Sequence, residues 1–407
     1  MKRWYLLIIP ILGWGAIVLA QKNEDTITFA IARELILKQN PGLKAAKTKI
    51  DASRVAIDQS RMLPNPEAEL VLDKFGFNEI EVSVGQTIEL GGKGKLRVSR
   101  AKTKLEAAQN ECKNNTFILE SEMIRRYIPV INGTRKLAVL DTLIEMIDLS
   151  KVQIEKKINA GASKKTDLLR IEIELERYRL ERSELVRSIQ QARKNFASLG
   201  GNEYRKLLNV KGNLNTDLVI PSLDELKKSV KVSSAILAIE IDSSKLSFEQ
   251  RLVKAEAIPD LKISAGLLFD NVDNKYSPLV GLSMGIPLWN KNVAACQELY
   301  LEQQALTEQK KEIYDQLVST IDDIVSKVSE IDTKLHTLKT STIPKADSVH
   351  ALIMEYYTTG SVSYPELTDA QGELLMLQME YHDIEAERAE ILVDLKEMTN
   401  IQIQIIK

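Results

Sequence analysis

At 407 residues the chain is long enough for two or three domains, and 55 Lys+Arg against 57 Asp+Glu leave a net charge of −2. That balance offers nothing to a polyanion, so nucleic acid is excluded as a partner class. Aromatics are only 5 % of the residues, and Gly and Pro number 18 and 11. A chain so poor in rings and turn formers is built on long helices and is not an all-β protein.

Lys2 and Arg3 precede an apolar run from Trp4 to Leu19, and Val18-Leu19-Ala20 offers a small-residue cleavage pattern. Residues 1–20 therefore read as a secretory signal peptide, with the mature chain starting near Gln21. The run falls short of the roughly 20 residues a spanning helix needs, and no other stretch could be a transmembrane helix. No cysteine follows closely, which argues against a lipid anchor there. The two cysteines, Cys112 and Cys296, sit at unlike depths of the pattern below and read as unpaired packing residues.

A short amphipathic helix is expected from Thr26 to Gln39, stopped by Asn40-Pro41-Gly42, and a second from about Leu43 to Met62, stopped by Pro64-Asn65-Pro66. Two alternating segments follow, at about 67–74 and 79–90. Ala68, Leu70 and Leu72 share one face of the first; Ile80, Val82, Val84, Ile88 and Leu90 share one face of the second. Period-two patterning predicts a β-hairpin. Gly91-Gly92-Lys93-Gly94-Lys95 then reopens a helix. Walker spacing is absent, so these glycines serve a sharp strand-to-helix bend rather than a phosphate. The arm that follows runs to about Ile158, some 95 Å at helical rise, with a kink expected at Pro129 and Gly133. A glycine tip at 159–166 leads into a helix whose apolar positions step by three and four: Leu168, Ile171, Leu175, Tyr178, Leu185, Ile189, Ala192, Phe196 and Leu199, broken only by Arg182.

The same order returns roughly 200 residues later, which identifies a tandem duplication. Repeat 1 covers 21–201, an irregular connector 202–222 carries one short strand around Leu207 to Val210, and repeat 2 covers 223–407. Its strands are expected at about 260–270 and 279–289, its tip at 358–365, and a kink at Pro344. The second seam runs Leu367, Ala370, Leu374, Leu377, Tyr381, Ile384, Ile391, Leu395 and Met398, with its break at Arg388.

Each hairpin has one continuous apolar face, and each strand has about the 9–11 residues that cross a bilayer when tilted. A lipid-embedded sheet must close, because free edges cannot be satisfied in hydrocarbon. Four strands are too few to close alone, so the expected assembly is a homotrimer with a 12-stranded barrel over a helical tunnel. The fold class is thus mainly α with a small membrane β-barrel part. Glu67, Glu69, Asp73, Glu79, Glu81 and Glu89 would line an acidic barrel lumen. His336, His350 and His382 are scattered along helices with no i, i+4 pair or cysteine cluster, so no catalytic, metal or cofactor site is expected.

On this order of elements the chain resembles the TolC-like outer-membrane efflux proteins. Two local stretches add to the likeness: Val84-Gly85-Gln86-Thr87-Ile88-Glu89-Leu90-Gly91-Gly92-Lys93, and Gly285-Ile286-Pro287-Leu288 followed by Trp289-Asn290-Lys291-Asn292. The Gly-Gly-Lys is most similar to the heavy-metal (CzcC-like) branch. The resemblance implies a passive exit duct in the outer membrane of a Gram-negative bacterium, with a large periplasmic portion. It implies a periplasmic adaptor and an inner-membrane pump of the RND class as partners, and no cofactor. It places adaptor docking at the tips, Ala160, Gly161, Ala162, Gly360, Ser361 and Val362, and a periplasmic gate at Glu366 and Asp369. Those two acids have a second reading, as helix-start residues stabilising an N-terminus. Val362 stands where a basic latch residue would be expected. A periplasmic coiled-coil adaptor and a structural scaffold are the alternative functions; an adaptor would carry one helical hairpin inside β-rich flanks.

Overall fold

The computed structural model describes residues 26–73, 79–159, 161, 164–216, 218–289 and 291–407. The expected signal peptide, the turn at 74–78, and Ala160 and Ala162 lie outside them.

The chain begins with β1 (Ile27–Thr28), α1 (Phe29–Gln39) and α2 (Pro41–Arg61). Thr28 caps α1, which is why the helix starts later than its pattern suggested; Asn40 ends α1 and caps α2, whose first residue is Pro41. The hairpin β2 (Glu67–Asp73) and β3 (Glu79–Ile88) leads into α3 (Lys93–Asn159), a single helix about 100 Å long. Pro129 lies within it, and Gly133 leaves room for Ile189, whose Cγ1 would stand 2.7 Å from a Cβ there. After Gly161 (φ 75°) the chain returns as α4 (Lys165–Ala197).

The connector holds a short helix α5 (Tyr204–Leu207), β4 (Val210–Lys211) and α6 (Leu223–Val230). Its strand pairs in parallel with β1, and Leu214 bridges Ile406, so the connector is stitched to both chain ends. Repeat 2 then supplies α7 (Ser234–Glu256), β5 (Leu261–Asp270), β6 (Lys275–Met284), α8 (Val293–Thr337), α9 (Ile343–Thr359) and α10 (Tyr364–Thr399). The kink expected at Pro344 takes the form of a π-helical turn at Leu338–Thr342, directly before the residue that cannot donate to its helix.

Strand β6 sits four residues earlier than its pattern predicted. Asp270 pairs with Lys275 across a short turn in which Asn274 takes φ 53°, and that turn fixes the register. Ile286 and Leu288, expected in the strand, lie beyond its end. Strand β3 likewise ends at Ile88, because the Leu90 amide donates to Asp260 Oδ1 (3.0 Å) instead of to a ladder.

The four strands form one antiparallel sheet in the order β2-β3-β5-β6. Helices α2 and α4 pack along α3, α7 along α3 and α8, and α10 against α3, α8 and α9. Two cores result. An equatorial one joins α1, α3, α8, α10 and the connector around the rings of Phe29, Tyr127 and Phe196, with centroids 5.0–6.0 Å apart. A tip core gathers Leu143, Ile147, Ile154, Ile171, Leu175, Tyr357, Tyr364 and Leu367.

Candidate channel surfaces

The sheet sorts its side chains by the register. Leu70, Val82, Val84, Leu267, Val280 and Leu282 occupy one face and are exposed. Phe269 and Tyr276 stack on that face at its turn end, centroids 4.8 Å apart. Trp289 is 92 % exposed just past the opposite end. Nothing among the described residues covers this apolar surface. The other face carries Glu67, Glu69, Glu79 and Glu81, interleaved with Ser83, Gly85, Ser264, Gly266 and Gly281, and the Asp73 backbone pairs with Glu79 at the end of β2. Small side chains are required there: a Cβ on Gly266 would lie 2.4 Å from the Val82 carbonyl oxygen.

Two features alter the expected acidic lumen. Glu89 is not on the sheet's inner face: it lies past the end of β3 and is clamped through both oxygens by Arg97 of α3. Glu67 is paired, since Lys262 of β5 places Nζ 2.8 Å from its carboxylate and 3.8 Å from that of Glu69. Lysine 262 was legible only through the register, because its sequence neighbours are apolar.

The glycine motif at the junction has a structural role. Gly91 and Gly92 take φ 71° and 72°, which only glycine adopts without strain. Lys93, buried, donates to Asp260 Oδ1 at 2.7 Å, tying the start of α3 to the chain entering β5. The two repeats are thereby locked together where strands become helices.

At the tips Gly161 and Gly360 both end helices in the left-handed conformation, and the Ser361 amide returns to the Tyr356 carbonyl (2.8 Å). Glu366 is exposed and occupies the third position of α10, accepting from the Ser363 hydroxyl (2.9 Å) in a capping box. Asp369 is exposed one turn later, close enough to Glu174 of α4 to raise the latter's pKa. Burial is the larger cause of that rise, and the Tyr364 hydroxyl, which donates to Glu174 at 2.9 Å, opposes it. Ser361 is exposed and Val362 half-buried. A basic tip residue is present after all, on the other hairpin: Lys157 donates to the Tyr357 carbonyl (2.6 Å) and lies 4.3 Å from the Tyr357 ring centre. The Tyr357 hydroxyl is buried without a partner among the described residues, and burial, then the Asp167 charge, push it up to about 12.

Among the described residues no group of three or more His, Cys, Asp or Glu side chains is arranged to hold a metal. Cys112 and Cys296 are free. His336 borders a cavity of about 310 Å³ at the equator, lined also by Asp332, Tyr381, Glu385 and Arg388. His382 serves Glu385 through Nδ1 at 3.0 Å. No helix among the described residues is long and apolar enough to cross a membrane.

No family model matches the chain. It is 21 % identical over 366 residues to the cobalt-zinc-cadmium resistance protein CzcC of Cupriavidus metallidurans, spanning 89 % of this chain and 88 % of that one. The outer membrane protein VceC of Vibrio cholerae superposes with a TM-score of 0.73 at 14 % identity, covering 91 % and 95 % of the two chains. The CmeC outer membrane channel of Campylobacter jejuni does so with 0.72 at 14 %, covering 97 % and 94 %. The chain is thus a distant homologue of CzcC and has the fold of the TolC-like outer-membrane efflux channels.

Proposed function

We propose that this protein is the outer-membrane exit duct of a tripartite efflux system, a homotrimer that conducts passively what an inner-membrane pump and a periplasmic adaptor deliver. One observation carries the reading: a four-stranded sheet with an exposed apolar face and two open edges, β2 and β6, at the end of helices about 100 Å long. An open edge and an uncovered apolar face are both costly in water. Three copies joined β6 to β2 would remove every edge and give twelve strands, with the apolar face toward lipid. The Phe269–Tyr276 pair and Trp289 then lie at the two levels where aromatic girdles meet headgroups.

Beneath the barrel the tips would meet the adaptor through the turns around Gly161 and Gly360. Glu366 and Asp369 would ring the periplasmic entrance. Capping does not compete with that role, since both side chains are exposed while Glu366 also holds the start of α10. Likeness to CzcC favours divalent metal cations as cargo, and a pump of the RND class. The test is direct. Full-length protein expressed with its leader should fractionate with the outer membrane, require detergent, run as a trimer, and conduct in planar bilayers. Its deletion should sensitise the cell to divalent metals. A soluble monomer would rule the duct out, and sensitivity to drugs alone would remove the metal cargo.

A further inference from the structure

Lys262 is placed unusually, since the rest of its strand is apolar or small as far as Asp270 at the far end. It sits opposite Thr87 on β3, one row from the Gly85–Ser264 pair. Its stem crosses β3 directly over Gly85: a Cβ there would stand 2.6 Å from Lys262 Cε. The ammonium group therefore reaches two strands away, to Glu67 (2.8 Å) and Glu69 (3.8 Å) on β2. Both carboxylates are more than half exposed, and an ion pair this wet contributes little to folding. Its consequence is for the field. In a narrow aqueous passage with low-dielectric walls, fixed charges set which ions enter.

The charges along this face are uneven. Toward the helices, Lys262 offsets one of two acids. Toward the turns, Glu81, Glu79 and Asp270 stand against Lys275 among the described side chains of this face. We propose that Lys262, held in the groove that Gly85 leaves, is a selectivity-setting residue of the conduit. It halves the negative charge at the helix-proximal end of the barrel and leaves the larger excess toward the outer mouth, so that the lower barrel favours cations less than the mouth does. This rests on the barrel reading above.

The experiment measures the reversal potential of purified trimers in planar bilayers under a potassium chloride gradient. Lys262→Gln should raise the potassium-to-chloride permeability ratio about twofold or more, by uncovering one further negative charge per chain. Glu67→Gln should lower it. Gly85→Ala keeps every charge but obstructs the lysine's path, and should reproduce part of the Lys262→Gln shift. Lys262→Arg should stay near wild type. Lys262→Gln trimers that conduct normally with an unchanged reversal potential would overturn the inference while leaving the duct intact. A wild-type protein that neither trimerises nor conducts would sink the barrel reading, and this inference with it.

Discussion

The two halves of the chain carry like helical seams that are buried to a like extent, but they cover the polar break and the flanks of the seam differently. In α10 Leu367, Leu374, Ile391 and Leu395 of the seam are buried, Leu375, Leu392 and Val393 beside it are buried too, and even its polar break, Arg388, is covered. In α4 Ile171, Leu175, Tyr178, Ile189 and Phe196 of the seam are buried as well, but its break, Arg182, is exposed. Sequence pattern does not explain this, since both follow the same three-four steps. Position does. Helix α10 lies among α3, α8 and α9, whereas α4 lies mainly along α3. One face of α4 is left open, with Leu169, Ile173 and Leu180 exposed; Val349, Leu352 and Tyr356 are exposed on α9 at the far side of the wall. The helical wall thus has two unfinished flanks, as the sheet above has two unfinished edges. The two halves share an order of elements, and the asymmetry lies in how much of each helix beside its seam is covered.

The largest effect that should separate the halves lies in the seam itself. Leu367 is fully buried, and its counterpart in repeat 1, Leu168, is only partly covered. Leu367→Ala should cost about 3–4 kcal/mol and Leu168→Ala about 1 kcal/mol. Denaturant unfolding of the detergent-solubilised protein would show it, and equal costs would mean that α4 is as enclosed as α10.

The two arginines give a smaller contrast. Arg388 donates to Asp332 and, at 2.9 Å, to the Leu218 carbonyl, so it pins α10 to both α8 and the connector. Removing it strands those acceptors, and Arg388→Ala should cost about 2–3 kcal/mol. Arg182 pairs with Asp141 in water, and Arg182→Ala should cost about 0–1 kcal/mol. Shifts in unfolding midpoint decide between them.

Acidity sharpens the contrast between tip and equator. Burial raises Glu174, so the folded protein takes up a proton there before the unfolded chain does; this contribution to stability is lost as pH rises from the ordinary glutamate range through the elevated value. Burial would also raise Glu385, but the hydrogen bond from His382 and the charge of Arg135 outweigh it and hold that carboxyl low. Its contribution is present above the ordinary glutamate range and is lost as pH falls through the depressed value. Melting temperatures against pH should therefore change slope in opposite senses for Glu174→Gln and Glu385→Gln. Parallel profiles would refute the assignment.

The smallest effect on monomer stability should come from the open flank. Leu169→Glu with Ile173→Glu should change the folding of one chain by less than about 1 kcal/mol, because both side chains are already exposed. Trimer yield should nevertheless fall on cross-linking. An unaltered trimer would show that this flank is not a contact between copies.

Much of this molecule could be read before its fold was known. Apolar spacing located the long helices and the two hairpins, because period two and period three-to-four are properties of the chain alone. Positive-φ glycines at Gly161 and Gly360 were legible as turns for the same reason. The strand ends were less so. Asp260 withdraws Leu90 from the ladder, and the Asp270–Lys275 turn moves β6 toward its start; both depend on partners distant in sequence or on turn geometry. The candidate lumen was half legible. Alternation placed the acids on one face, but a lysine two strands away and an arginine on α3 decide which of them keep an uncompensated charge.

Local pattern therefore determined what the elements are and which face of each is apolar, since propensity and periodicity act within a few residues. The tertiary structure alone decided which copy of the seam has its polar break covered, that Lys93 and Asp260 tie α3 to the chain entering β5, and that Lys262 crosses Gly85 to reach Glu67. Those outcomes are set by strand register and helix neighbours, which bring together residues more than 150 positions apart.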